Sequence, residues 1–361
     1  MLSSLLKRLV RGPTAAEALH RGKTAYEEGR LQEAARLLDA AALAHSSDSE
    51  CAAYAGLAHY GLGDYRSALE HFESAVALAP ERSSYRFNAA AASWALGDRK
   101  AAGARCAEAL ERDPCDVPTL SLLARITLPG PTYTELLAML HRTLSPRTYL
   151  EIGVAQGVSL KLAQASTRVV GIDPAPQLQQ IPGANTTVHT VMSDDYFSTR
   201  DVRADFGGLP IDMAFIDGAH LFEQALKDFI NVERHATPQS VILLHDTYPL
   251  TRLTAERDRR SEFWSGDVWR LVLVLKKYRP DLSFSNVGAS PTGLGVVRGL
   301  DPGSHVLERN LDAIIDEFMA VDYSALDADK PATLGLIPND SEAVLRLVSG
   351  FPTAPARATA E

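Results

Sequence analysis

The sequence predicts a helical-repeat solenoid followed by a doubly wound, mostly parallel α/β sheet of seven strands, on three observations. Residues 1–130 hold 29 alanines against 23 in the whole of the remainder, so two architectures share the chain. Within the alanine-rich part, glycine, aromatic and alanine positions recur at a step of 34. Beyond residue 131, short apolar runs alternate with helical stretches, the signature of strand–helix–strand units. A length of 361 residues suits two or three domains, and 46% hydrophobic with 22% charged residues excludes a wholly disordered chain. The formal charge of −9 argues against a protein that coats nucleic acid. Three scattered cysteines (Cys51, Cys106, Cys115) make neither a disulfide framework nor a zinc knuckle, so a cytoplasmic setting is expected.

Residues 1–13 read as a lead-in, an amphipathic stretch in which Lys7 and Arg8 interrupt Leu5, Leu6, Leu9 and Val10. It is too short for a secretory core or a membrane span, so no membrane role is expected. The repeat region covers 14–127. Gly29, Gly63 and Gly97 are each followed five residues later by Ala34, Ala68 and Ala102; Tyr26, Tyr60 and Trp94 keep the step, as do Ala41, Ala75 and Ala109. Ser46, Pro80 and Pro114 close the units. The glycine ends one helix at a tight turn, and the alanines let paired helices approach. The aromatic is expected to fill the gap between pairs, and the proline stops the second helix. The pattern resembles three tetratricopeptide repeats, with Phe72 at the second aromatic position and Leu38 and Cys106 in its place in the outer units. This likeness implies a protein partner. Cys115–Ile126 reads as a capping helix, and Leu128 to Pro131 as a linker.

Strands are expected at Arg147–Val154, Arg168–Asp173, Thr186–Ser193, Ile211–Asp217, Ser240–His245, Leu282–Val287 and Leu294–Arg298. The clearest helix is His220–Ala236, with Phe222, Ala225, Leu226, Phe229 and Val232 near helical spacing. The last two strands are close enough in sequence to form an edge hairpin. Residues 301–350 read as a helical extension (Ser304–Ala320 and Ser341–Val348), and 351–361 as a disordered tail.

The chemistry gathers at strand ends. Gly153 and Gly157, after Glu151 in the first strand, allow a tight turn and a close helix start. Asp173, at the end of the second strand, stands where an acid can accept two ribose hydroxyls. A dinucleotide fingerprint would need glycines at 155 and 158, where this chain has Ala155 and Val158, which disfavours a nicotinamide-dependent reductase. The fourth and fifth strands end in Asp217, with His220 just beyond, and in His245-Asp246.

Residues 151–157 and Asp173, with Phe215–His220, Leu243–Thr247, Ser265–Arg270 and Gly293–Val297, resemble class I S-adenosylmethionine-dependent methyltransferases over about 132–300. The nearest branch is that of macrocin-type O-methyltransferases. The resemblance implies a Rossmann-like sheet, S-adenosylmethionine as cofactor, and a small-molecule or sugar hydroxyl as acceptor. It also implies that Glu151, Gly153 and Gly157 line the methionine end, that Asp173 holds the ribose, and that Ser193 and Asp194 flank the adenine, with Asp217 nearby. A hydroxyl acceptor needs a base or a metal that lowers its pKa. In several relatives, acids at these strand ends hold magnesium. Here the corresponding ligands are Asp217, Asp246 and, in place of an acid, His245; carboxylates suit magnesium, whereas the histidine suits manganese, iron or zinc better, with His220 and His245 as catalytic histidines. Two other readings stand beside this one: an inactive methyltransferase-like scaffold that acts through its repeats, and a protein methyltransferase.

The Arg252–Arg260 stretch reads as a solvated lid or helix face, Trp264 as a candidate pocket wall, and Trp269 equally as a pocket wall or a core residue.

Overall fold

The computed structural model describes residues 15–348; the lead-in at 1–13 and the tail at 351–361 lie outside them. The chain divides into two units, which meet in sequence at Thr127 and Leu128 and are described separately. Among the described residues, no helix is long and apolar enough to cross a membrane.

The first unit is a stack of helices, each packed on the next: α1 (Ala15–Glu27), α2 (Leu31–Ala44), α3 (Ser49–Gly61), α4 (Tyr65–Leu78), α5 (Ser83–Ala95), α6 (Arg99–Leu110) and α7 (Val117–Thr127). It has the form of a tetratricopeptide-like solenoid. Gly29, Gly63 and Gly97 adopt φ of +73°, +79° and +83°, and a Cβ on any of them would meet nothing within 4 Å. Backbone conformation, not space, therefore requires glycine there. The alanines at 34, 68, 102, 41, 75 and 109 are all buried.

Of the recurring aromatics, Tyr26 packs against Tyr54 of the next pair and Trp94 against the third cluster, whereas Tyr60 is 37% exposed and packs edge-on against Tyr65. Leu38, Phe72 and Cys106, all buried, pack against a second series at the same period. A Cβ on Gly22 would lie 2.5 Å from Leu38 Cγ, and one on Gly56 would lie 2.5 Å from Phe72 Cε1. At the third position Ala90 replaces glycine, and the small Cys106 shares its cluster. Large side chains face glycine and the smallest faces alanine, so volume is conserved across each contact.

The second unit begins earlier than the linker reading implies. Leu128 is buried with Tyr248, Trp269 and Leu334, and Asn339 Nδ2 donates to the Pro131 carbonyl. α8 (Tyr133–Leu144) follows, started by a capping box between Thr132 and Glu135. The sheet has eight strands, not seven: β1 (Thr148–Ile152), β2 (Arg168–Ile172), β3 (Thr186–His189), β4 (Met213–Ile216), β5 (Val241–His245), β6 (Ser283–Val287), β7 (Leu294–Arg298) and β8 (Leu336–Ile337). Their order is β3-β2-β1-β4-β5-β7-β6-β8. The first five run parallel, β7 is antiparallel to both β5 and β6, and β8 lies parallel on β6. β8 lies inside the stretch expected to be a helical extension; its two residues are too few to show alternation in the sequence.

Three expected elements are shorter. β3 stops at His189, and Ser193 instead opens a helix, α9 (Ser193–Thr199). The helix expected from His220 is α11 (Phe222–Arg234), preceded in the chain by a single short turn, α10 (Val202–Asp205). Ser304–Ala320 breaks at Asn310 into Val306–Arg309 and Leu311–Met319. Alternate strand residues feed opposite cores. Leu150, Ile152, Ala214, Ile216, Ile242 and Leu244 join Phe222 and Phe229 of α11, whereas Tyr149, Met213, Phe215, Val241 and Leu243 join Leu136, Leu137 and Leu140 of α8.

His141 of α8 is fully buried edge-on against Tyr149, with both ring nitrogens unpartnered, and burial lowers its pKa to about 4. The unfolded chain protonates this imidazole below about pH 6.5, and the folded chain resists until about 4. Stability is therefore full above 6.5 and falls towards 4, by about 3 kcal/mol from this residue. Urea titrations across that range should show a shallower decline for His141→Leu than for the wild type; parallel declines would assign the loss to carboxylates.

Candidate active site

The sheet reverses its winding between β1 and β4, and ligands of such sheets bind at the carboxyl ends beside that switch. A cleft opens there, lined by residues that include Gly153, Asp173, Met192, Ser193, Gly218, Ala219, Gln224 and Asp228. A second, nearly filled concavity adjoins it, lined by Asp217, His220, His245 and Asp246 among others. Gly218, Ala219 and Asp228 line both.

The turn after β1 is held by Asp173. Its Oδ2 accepts from the amides of Val154 and Ala155, each at 2.8 Å, and its Oδ1 accepts from Ala175 at 2.7 Å. A carboxylate has about four acceptor positions, so one remains for a ligand hydroxyl rather than two. Gly153 is fixed by packing: a Cβ would sit 1.8 Å from the Asp217 carbonyl oxygen. At Gly157 a Cβ would meet Leu178 at 2.4 Å. Glu151 is buried behind the turn, where it accepts from Tyr149 Oη at 2.6 Å and Ser159 Oγ at 2.9 Å, and burial raises its pKa to about 8. Glu151 and Gly157 thus shape the turn, while Gly153 and Asp173 reach the cleft wall.

On the far wall, Ser193 Oγ donates to Asp228 Oδ1 at 2.6 Å, and Gln224 Nε2 reaches both Asp228 and Asp194. Burial lifts Asp228 to about 6, against the hydrogen bonds from Ser193 and Gln224. Sequence reasoning missed Asp228 and Gln224. The available signal was an acid at 228, between Ala225 and Val232 on the apolar stripe of α11, where a charge needs a reason.

The second concavity holds two carboxylates and two imidazoles in mutual contact. Asp217 Oδ1 lies 3.0 Å from His245 Nδ1 and 3.3 Å from His220 Nε2. Asp246 Oδ2 lies 2.9 Å from His220 Nδ1 and 3.3 Å from His245 Nδ1. Tyr133 packs over His245 with ring centroids 4.2 Å apart, and the Trp264 ring stacks on His220 at 5.1 Å. Trp269 is instead buried in the core. The arginines at 252–260 are tied down: Arg252 to Asp322 and Asp327, Arg257 to Glu223 and Asp267, Arg260 to Glu256, and Arg259 to the Ser261 carbonyl.

Among described non-glycine residues only Ser145, Ala155, His220 and Asp246 have positive φ, and the last two line the second concavity. Each such residue costs about 1–3 kcal/mol, tolerated where the surroundings dictate the shape. Here a Cβ on Gly266 would strike the His220 carbonyl at 1.9 Å, so that loop seats His220 in its strained position.

Burial works against the charge on both imidazoles, yet Asp246 and Asp217 outweigh it and hold His220 up to about 11 and His245 to about 10. Burial alone would raise the two carboxyls; the histidines keep them well below the usual range. Two carboxylates facing it thus favour the charged form of His220. The ligand atoms of Asp217, His245 and Asp246 lie within 4.8 Å of one another. Two carboxylates plus an imidazole fit manganese, iron or zinc better than magnesium.

Comparison with known proteins bears on the two units separately. A TPR repeat-containing thioredoxin of Arabidopsis thaliana is 42% identical over 73 residues, or 20% of this chain, and the match spans only 11% of that protein's length. Solved structures similar to this chain include the second TPR domain of human RPAP3 in complex with an HSP70 peptide (20% identity, 31% of this chain and 93% of that one, TM-score 0.30). Another is the Yersinia enterocolitica type III secretion chaperone SycD with a peptide of the translocator YopD (17% identity, 33% and 96%, TM-score 0.31). Within the second unit, residues 150–247, which run from β1 to just past β5 and carry both concavities, match the family model described as a methyltransferase domain.

Proposed function

We propose that the protein is an S-adenosylmethionine-dependent methyltransferase that methylates a small-molecule or sugar hydroxyl, and that its repeats recruit a protein partner. Residues 132–300 are the catalytic module, 14–127 the recruitment module and 301–350 an extension of the former. The observation that carries this reading is the shared wall of Gly218, Ala219 and Asp228. It sets a cleft beside an ionisable cluster, and methyl transfer needs those two sites in contact. Transfer is an in-line displacement at a sulfonium, so the protein's work is to align the acceptor and take its proton.

Asp173 accepts one ribose hydroxyl, and the Ser193–Asp228–Gln224 network, with Asp194 at its rim, borders the adenine. Glu151 and Gly157 position the turn. Asp217, His245 and Asp246 would hold a divalent ion, which when bound would lower the pKa of the acceptor hydroxyl. His220, stacked on Trp264, faces the same concavity and takes the acceptor's proton once its carboxylate partners are shared with the ion. A helical-repeat stack offers an extended surface, which suits recruitment.

Mass spectrometry of small molecules released from the purified protein is expected to find adenosylmethionine or adenosylhomocysteine. If neither is retained and neither binds on calorimetric titration, the assignment falls.

A further inference from the structure

The first unit carries a cluster unrelated to the strand-end site. Asp39 of α2, His59 of α3 and His71 of α4 point at one another, with ligand atoms within 4.8 Å. His59 Nε2 is 3.1 Å from both oxygens of Asp39, and His71 Nε2 is 3.0 Å from Oδ1. The two rings stack with centroids 5.3 Å apart and planes at 22°, so both present the same nitrogen to one carboxylate. His59 Nδ1 lies 3.2 Å from Asp64 Oδ2. A carboxylate on the remote nitrogen is how metal-binding histidines are usually oriented, because it fixes the tautomer that leaves Nε2 free to coordinate.

We propose that Asp39, His59 and His71 form a binding site for a divalent transition-metal ion of the zinc class, joining the first repeat to the second. Two imidazoles and one carboxylate are a borderline donor set of the kind zinc accepts. With bonds of about 2.0–2.1 Å, neighbouring ligands of a tetrahedral ion sit about 3.3 Å apart. The observed separations of 3.0 and 3.1 Å require only a small opening. Asp39 is 43% exposed, which leaves a face for water as fourth ligand.

The repeat supplies an internal comparison. One period on, the positions of Asp39, His59 and His71 are occupied by Glu73, Ser93 and Arg105. Arg105 pairs with Glu73, and Ser93 Oγ turns back to the Ala89 carbonyl. The acid–base contact between successive repeats is thus served by an ordinary ion pair at the second junction. The first junction replaces both of its non-coordinating partners with histidines.

The test uses the full chain, stripped with chelator and titrated with zinc alone, in an Asp217→Asn/His245→Ala background, written H245A for short, which leaves the strand-end cluster too few donors and the repeats intact. One equivalent of zinc is expected in H245A and none in H71R/H245A. His71→Arg copies the arginine of the next junction, so the ion pair and helicity by circular dichroism should persist while coordination is lost. Asp64→Asn in the same background should weaken binding about 10–100-fold. Cobalt in place of zinc should show tetrahedral visible bands in H245A that are missing from H71R/H245A. Equal zinc binding with and without H71R, or no zinc bound by H245A, would overturn the proposal and leave the cluster as an ion pair.

Discussion

Asp217→Asn is expected to lower methyl transfer by about 10²–10⁴-fold while adenosylmethionine still binds. Asp217 Oδ1 touches both His220 and His245, at 3.3 and 3.0 Å. Its amide neither ligates an ion comparably nor offsets an imidazolium, so proton removal and ion binding should fail together. It lines the second concavity rather than the cleft, which is why cofactor affinity should survive. Single-turnover formation of adenosylhomocysteine, beside calorimetric titration of cofactor, separates the two effects. Removal of divalent ions with EDTA should be as damaging, because without an ion His220 and His245 hold their protons up to about pH 11 and 10. At pH 7 neither is then a base. Undiminished turnover after EDTA would remove the ion from the mechanism, and undiminished turnover of the Asn variant would remove the cluster.

Ala219→Trp should abolish cofactor binding, by at least about a hundredfold, without unfolding the protein. Ala219 is exposed and belongs to the wall common to both concavities. An indole there occupies the place where the transferred methyl group must pass and displaces no core side chain. Gly153 is a poorer probe: any side chain there meets the Asp217 backbone before it meets a ligand, so loss of binding would report misfolding. Calorimetry with adenosylhomocysteine, with a thermal melt as control, reads the outcome. Wild-type affinity in the Trp variant would place the cofactor elsewhere.

Local patterns carried most of the architecture. The step of 34 placed the inter-helix turns at Gly29, Gly63 and Gly97 because each has a left-handed backbone, which glycine adopts without strain. β1 and β5 are buried throughout, and β5 opens on the unbroken apolar run Val241–Leu244, the pattern of a strand covered on both faces. β8 was not legible, since two residues gain strand character only by lying beside Asn286 and Val287. The turn at Leu128–Pro131 resembled a linker by composition, yet Leu128 is core, because distant Trp269 and Leu334 pack against it.

The site divides in the same way. The sequence by itself determined which residue types stand at the strand ends, and therefore that Asp217, His220, His245 and Asp246 share one edge of the sheet: parallel order brings those ends together. Only the tertiary structure decided what state they are in. Two carboxylates against two histidines in a buried space reverse the protonation a free imidazole would have, and that follows from distances across β4, β5 and the loop carrying Gly266. Likewise, the tertiary structure spent three of the acceptor positions of Asp173 on backbone amides and brought Asp228 of α11 to Ser193. Hydrogen-bond saturation and charge state depend on what lies within a few ångströms in space, whereas periodicity along the chain records only which face a residue occupies.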